Sequence, residues 1–316
     1  MAHRPKNPLI PTREGLSPSC VAIPFAKPVP WGSVLQFLSE RLPVVAPLAW
    51  AQRLAQGDVL DDEGRPVAAD APCVPGARLY YWREIEGEAA IPFEERIVFQ
   101  DEHLLVADKP HFMPVTPTGR YVRHSLMVRL KRRTGIDTLN PIHRIDRETA
   151  GLVVFNLRPQ DRNAYHALFR DRQVHKRYEA IAPHDPAQAF PQTRRSRIEE
   201  DVEAFFRMVE TEGEANSETR IERLEVRGDW ARYALEPLTG KRHQLRVHLD
   251  ALGLPIAGDR FYPRVRRGPD EAEDFAEPLR LLAQGIAFTD PVTGQARRFQ
   301  SRLGLDWPAP AASDAD

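Results

Sequence analysis

The segment PIHRIDRETAGLVVF, residues 141 to 155, decides how the rest of the chain is read. Its front half is a polar cluster of His143, Arg144, Asp146 and Arg147; its back half, after Gly151, is Leu152, Val153, Val154 and Phe155. Four apolar residues in a row leave no side for solvent, so the run predicts a strand buried on both faces. Asp146 then stands between two arginines at the lip of a core strand, where loops commonly carry reactive side chains. An arbitrary Asp beside two arginines is usually a surface ion pair or a turn cap. The placement raises a second reading, a nucleophile held ionised by opposite charge. Spacing alone leaves both open.

At 316 residues the chain can form one large domain or two smaller ones around a substantial core. With 42 % hydrophobic and 28 % charged residues and a mean hydropathy of -0.47, its composition is that of a soluble globular protein. Prolines (29) outnumber glycines (18), which favours long ordered connections over flexible linkers. Cys20 and Cys73 are too few for a disulfide framework and form no CxxC pair, so a reducing cytoplasm is the simplest location. The opening MAHRPKNPLIPTREG lacks a signal-like apolar core, and no 18-residue apolar stretch follows, so no secretory leader or membrane association is expected. The net charge of -1 averages over segregated parts. RYVRHSLMVRLKRR (120 to 133) and TGKRHQLRVH (239 to 248) contain no acid, while IEEDVEAFF and GPDEAEDFAEP collect acids. Such segregation can build a basic cleft on a neutral protein.

Residues 1 to 27 are proline-rich and aperiodic and read as an extended, partly disordered arm. WGSVLQFLSERL then places Val34, Leu35, Leu38 and Leu42 at helical spacing, and APLAWAQRLAQG fits a second short helix stopped by Gly57. DVLDDEGRPV carries a hairpin signal at Glu-Gly, and GARLYYW reads as a strand. Residues 86 to 95 serve as a linker. Beyond it, ERIVFQDEHLLVADKP reads as two strands around Asp101-Glu102-His103, residues 120 to 133 as a helix, KRYEAIAP as a strand, and ANSETRIERLEVRGDWARYALEPL as two more. HQLRVHLDALG puts Leu245, Leu249 and Leu252 on one helical stripe and Arg242, Arg246 and Asp250 on another, with Gly253 closing the helix. Strands dominate without βαβ alternation, which predicts an α+β domain with a mixed or antiparallel sheet.

Other chemistries fit poorly. A glycosidase needs two carboxylates flanking the bond, and this segment offers Asp146 with Glu148 as a weak second. His243 and His248 are five apart, off a common helix face, and no HExxH or zinc-type cysteine spacing occurs. There is no GxGxxG, P-loop or GxSxG, so no nucleotide cofactor is indicated. What is left is cofactor-free chemistry around a single Asp.

HRIDRETAGLVVF resembles the HRLDxxTSGLLLF signature of the RluA-type RNA pseudouridine synthases. DEHLLVADKPHFMPVTP, KRYEAIAP, TGKRHQLRVHLDALGLPIAGDRFYP and LLAQGIAFTDPVTGQ resemble further blocks of that family in the same order, together covering residues 93 to 304. The resemblance implies an α+β pseudouridine synthase domain over residues 92 to 306, with a mixed, largely antiparallel central sheet, flanking helices and a basic cleft. The stretch from 28 to 86 resembles the S4 domain, a small α+β RNA-binding module. Residues 307 to 316 read as a disordered tail.

The implied reaction breaks the uridine N1–C1′ bond, rotates the freed uracil and rejoins it through C5, with no metal or organic cofactor. By resemblance Asp146 is the essential aspartate, acting by attack at C1′ or by deprotonating the sugar. Arg246 pairs with it, Tyr178 packs against the target base and helps remove the C5 proton, and Arg144 enters the RNA stack where the uridine is flipped out. Lys109 and Pro110 match a structural turn. Ala150, Ile145 and Arg242 depart from the usual Ser, Leu and Thr; Arg242 adds a charge expected to affect RNA affinity. A charge run is usually a solvated face, yet in such an enzyme Arg120, Arg123, Arg129, Lys131, Arg132 and Arg133 are a natural phosphate track, with Lys241 and Arg242 beside the active helix. The expected partner is ribosomal or transfer RNA, with the enzyme a cytoplasmic monomer. RSRIEEDVEAFFRM (195 to 208) is an insertion to which the residues assign no role.

Overall fold

The computed structural model describes residues 7–25, 28–85, 87–266, 268, 271 and 274–308. The chain divides into two units. The first runs to Glu88 and adds Gly119–Arg123 and Val128–Asp137; the second holds the remainder.

In the first unit, β1 (Ser19–Ala22), α1 (Val34–Arg41), α2 (Pro47–Ala55), β2 (Val59–Leu60) and β3 (Arg78–Tyr81) follow in order. Ser33 starts α1, its hydroxyl accepting the Gln36 N–H at 3.2 Å, and Pro47 opens α2 where a missing N–H costs nothing. Val34, Phe37, Leu38, Trp50, Leu54, Val59 and Leu79 form the core beneath an antiparallel sheet ordered β1-β3-β2. The hairpin turn after β2 is closed by Asp61, whose carboxylate accepts the N–H groups of Glu63 and Arg65, both at 2.9 Å.

β1 falls inside the stretch expected to be an extended, partly disordered arm, and Ile10 and Leu16 are buried there too. The partner that orders β1 is β3, far along the chain, so no local periodicity announces it. Residues 1–6 and 26–27 of that stretch lie outside the described residues.

The basic segment differs from expectation in two ways. Its helix, α3 (Leu126–Thr134), begins at Leu126 rather than Arg120. Upstream, the Val122 and Arg123 N–H groups donate to the Glu88 carboxylate, each at 2.9 Å, in place of helical partners. Most of the segment also belongs to the first unit and not to a catalytic domain spanning residues 92 to 306.

The second unit contains β4 (Arg96–Gln100), β5 (Leu104–Lys109), β6 (Asn140–Pro141), β7 (Ala150–Asn156), α4 (Arg162–Arg170), β8 (His175–Pro183), β9 (Gln192–Glu200), β10 (Met208–Thr211), β11 (Ser217–Arg227), β12 (Trp230–Pro237), α5 (Gln244–Ala251), β13 (Leu281–Thr289) and β14 (Ala296–Gln300). Among the described residues these strands form one sheet ordered β10-β9-β11-β12-β8-β13-β7-β5-β4, with β14 on β13 and β6 on β7. Every pairing is antiparallel except β13 beside β7. This is the mixed, largely antiparallel α+β sheet expected. All seven residues of β7 are buried, as the run of apolar residues predicts.

Gly151 makes the parallel contact possible. Its φ is +111°, and a Cβ there would lie 2.3 Å from the Ala283 carbonyl oxygen, so only glycine fits. At the end of the chain, Trp307 was expected in a disordered tail. It packs with Leu305 and Trp230, and the Arg227 and Arg232 guanidiniums sit over its ring; residues 309–316 lie outside the described residues. No helix among the described residues is long and apolar enough to cross a membrane.

Candidate active site

Asp146 lies on the loop between β6 and β7, its side chain 25 % exposed. Two side chains, half-buried His143 and buried Lys109, hold that loop. His143 Nε2 accepts the Val154 N–H at 3.1 Å, and its ring stacks on Phe169 at 4.9 Å. Burial, helped by the Lys176 ammonium, pushes His143 down to about 3, so the imidazole is neutral, as an acceptor must be. Lys109, at the end of β5 and without exposed surface, donates to the carbonyls of Pro110 at 2.9 Å and Arg147 at 3.0 Å. Its burial outweighs the pull of Glu148 and Asp146 and lowers the ammonium to about 7.

The cation facing Asp146 comes from α5. Arg246 Nη1 stands 3.6 Å from Asp146 Oδ2 and has no hydrogen-bond partner among the described residues. The other two nitrogens of this buried guanidinium donate to Asp259, Nε to Oδ2 at 2.8 Å and Nη2 to Oδ1 at 2.7 Å. Asp259 is in turn fixed by the N–H groups of Phe261 at 2.9 Å and Tyr262 at 3.2 Å. Burial alone would discourage the charge on Arg246, but the Asp259 carboxylate more than offsets it, and the group is held charged more firmly than usual. Gly258 allows the turn that delivers Asp259: its φ is +77°, and a Cβ would meet the Pro278 carbonyl oxygen at 2.2 Å.

Arg147 bonds Glu148, Nε to Oε1 at 2.9 Å, and Arg144 is exposed. Burial would raise Glu148, yet Arg147 and Arg246 outweigh it and keep this buried carboxyl below its ordinary range.

His243 precedes α5 with φ +54°, a conformation uncommon for a residue with a Cβ. Tyr262 Oη donates to the Met208 carbonyl at 3.0 Å and accepts the Met208 N–H at 2.9 Å. His243 Nδ1, 3.1 Å from the same oxygen, is therefore the donor in that contact. Its Nε2 lone pair then faces Asp146 Oδ2 at 4.0 Å. Burial depresses His243 to about 4, against the attraction of Asp146. On β8, Tyr178 packs against the Leu245 and Leu249 cluster, and burial together with the charge of Asp146 raises its phenol well above the ordinary value. That phenol keeps its proton at neutral pH.

Asp146, Tyr178 and Arg246 are thus brought together. His243, Asp259, Lys109 and Glu148 join them: Glu148 is the weak second carboxylate of the sequence, Lys109 and His243 carry no expected role in the site, and Asp259 falls in GDRFYP without being singled out. The expected RNA-contacting residues separate. Lys131 is buried and donates to the Ser17 hydroxyl at 3.1 Å, so it is no surface cation. Arg123 pairs with Glu84 at 2.6 Å; Arg132 and Arg133 are exposed, Arg120 and Arg129 half-buried. Lys241 is exposed. Arg242 lies before the helix, off the Arg246 stripe, because His243 breaks the helical path. It donates to the Glu200 carboxylate at 3.0 Å and to the carbonyls of Phe205 and Arg207 at 2.5 and 3.1 Å, which makes it a strut and not a free phosphate contact.

Residues 103–251 match the family model described as RNA pseudouridylate synthase. An uncharacterized RNA pseudouridine synthase of Synechocystis sp. is 31 % identical over 232 residues, 72 % of this chain and 79 % of that protein. The dual-specificity RNA pseudouridine synthase RluA of Escherichia coli is 33 % identical over 208 residues, 65 % of this chain and 91 % of that one. The chain belongs to the RNA pseudouridylate synthase family. The solved human RNA pseudouridylate synthase domain containing 1 shares the fold, with a TM-score of 0.54, 24 % identity and coverage of 66 % of this chain and 82 % of that one. Human RNA pseudouridylate synthase domain containing 4 gives 0.50 at 26 % identity, covering 66 % and 88 %. This pseudouridine synthase is accordingly an isomerase acting on uridine in RNA. The matched residues start after Glu88 and include the Gly119–Arg123 and Val128–Asp137 segments of the first unit.

Proposed function

We propose that Asp146 is the reacting carboxylate of this isomerase and that its substrate is a specific uridine in structured ribosomal or transfer RNA. The observation that carries the reading is the charged Arg246 Nη1 held 3.6 Å from Asp146 Oδ2. A guanidinium fixed by a second carboxylate is preorganised to orient the first one without rearrangement during the reaction. Asp146 either attacks C1′ or removes a sugar proton, and the N1–C1′ bond breaks. The uracil turns against Tyr178 and rebonds to C1′ through C5, displacing the Asp146 carboxylate or with return of the sugar proton, and the C5 hydrogen leaves as a proton taken up by water. Tyr178 enters this scheme as a protonated phenol that packs and donates. Exposed Arg144 is suited to fill the gap left by the flipped uridine. Lys241, Arg132 and Arg133 are exposed cations suited to phosphates. The N-terminal unit, two helices on a small sheet, is read as an S4-like RNA grip, and the whole as a cytoplasmic monomer needing no cofactor.

The test uses ribosomal and transfer RNA pools carrying tritium at uridine C5. Wild type is expected to release tritium to water from one pool. Asp146→Asn is expected to lose more than about a thousandfold in rate while binding RNA within about tenfold of wild type, because charge is removed and shape is kept. Full turnover in the variant would sink the assignment.

A further inference from the structure

The insertion between residues 195 and 208 has a defined structure beside the site. β9 and β10 form an antiparallel hairpin whose loop end is anchored to the site: the Met208 backbone bonds Tyr262 Oη, and Ile198 and Met208 pack with Val247 of α5. The tip is ordered by its own contacts. Arg207 N–H donates to the Ala204 carbonyl at 2.7 Å, and Arg242 gathers Glu200, Phe205 and Arg207. The departure from Thr at 242 is thereby tied to the insertion. It holds the hairpin down.

At this fixed tip, Phe205 is 75 % exposed and Val202 99 % exposed. Single apolar residues on a surface call for no explanation. This pair is different because a file of rings leads from it to the reacting carboxylate. Phe205 meets Phe206 at 5.7 Å, Phe206 meets Phe261 at 5.2 Å, and Phe261 lies 5.1 Å from the Arg246 guanidinium. An outward-facing ring on a backbone held by Arg242 has the form of a stacking surface.

We infer that Phe205 is a platform on which an unpaired nucleobase flanking the target uridine stacks, with Val202 extending the apolar surface. This rests on the reading of Asp146 as the site of reaction. The charges select the base over the backbone. Glu199, Glu200, Asp201 and Glu203 surround the tip, and Arg197, Arg242 and Arg207 are committed to the first three of these carboxylates rather than offered to phosphates. A π-face carries no net charge and tolerates these neighbours, and it accepts any base. The platform therefore selects for an unstacked nucleotide and not for a sequence.

The experiment compares full-length wild type with Phe205→Ala, Phe205→Leu and Phe205→Trp, measuring RNA affinity and tritium release on the two pools described above. At an exposed position none of these changes disturbs the core. Phe205→Ala is expected to weaken RNA binding and kcat/KM roughly tenfold through KM, leaving kcat at saturating RNA nearly unchanged. Phe205→Trp is expected to match or exceed wild type, and Phe205→Leu to resemble Phe205→Ala. Equal affinity and kcat/KM in wild type and Phe205→Ala would overturn the platform and leave the acidic, apolar tip to a basic protein partner. If wild type releases no tritium, the isomerase assignment on these RNAs fails separately. The binding comparison then still decides: a weaker Phe205→Ala supports the platform, and equal or absent RNA binding overturns it.

Discussion

Asp259 has no exposed surface and grips Arg246 through two parallel hydrogen bonds of 2.7 and 2.8 Å. The guanidinium plane is set by that grip, so the direction of Nη1 toward Asp146 is set by a residue that does not face the reacting carboxylate. Removing one partner of a buried ion pair leaves the other uncompensated, which typically costs about 3–5 kcal/mol. Asp259→Ala is accordingly expected to lose that order of stability in urea denaturation, and Asp259→Asn somewhat less. Both are expected to lower kcat well beyond any rise in KM. The double variant Arg246→Met/Asp259→Leu separates the roles, since no buried charge is stranded: stability is expected to return in part, and turnover to stay low. A double variant with restored turnover would show that Arg246 has no part in the reaction.

Features carried by neighbouring residues were legible in the sequence. Leu152 to Phe155 declared a buried strand because four apolar residues admit no wet face, and Val34, Leu38 and Trp50 sit on helices that local spacing marks. Asp146, Tyr178 and Arg246 were reached through motif resemblance, and geometry then brought them together. Pairings between distant segments were not legible. β1 needs β3 to become a strand, and Asp259 acquires its meaning only when the turn after Gly258 carries it back to α5. The basic run misled for a related reason. Charge along a chain does not say which way a side chain faces, and Lys131 faces inward to Ser17 while Arg132 beside it is exposed.

Gly151 couples fold to site, since it joins β13 to β7 five residues after Asp146. In Gly151→Ala the new methyl group would lie 2.3 Å from the Ala283 carbonyl oxygen at a backbone angle that residues with a Cβ rarely adopt. Strain and overpacking together cost more than about 3 kcal/mol. The variant is expected to be strongly destabilised in urea and, where still folded, to turn over slowly because the Asp146 loop moves with β7. A fully stable, fully active Gly151→Ala would show that the two strands can separate without consequence.

Four buried or half-buried histidines make the protein sensitive to acid. Burial lowers His111, His243 and His248 to about 4 and His143 to about 3, all from an ordinary value near 6.5. The unfolded chain binds their protons first as pH falls, so stability present above pH 6.5 is lost progressively between there and about pH 4. Glu148, held below its ordinary range, adds a loss at the lower end of that window. Each histidine that is neutral when folded and charged when unfolded contributes a slope of up to about 1.4 kcal/mol per pH unit. His143→Gln keeps an acceptor for the Val154 N–H and removes one titration. Urea midpoints measured from pH 4 to 8 are expected to show a stability rise that is shallower in this variant by roughly that amount per unit. An unchanged slope would mean that His143 takes up its proton as easily in the folded protein as in the unfolded chain, and that the Asp146 loop is not tied to β7 through a neutral imidazole.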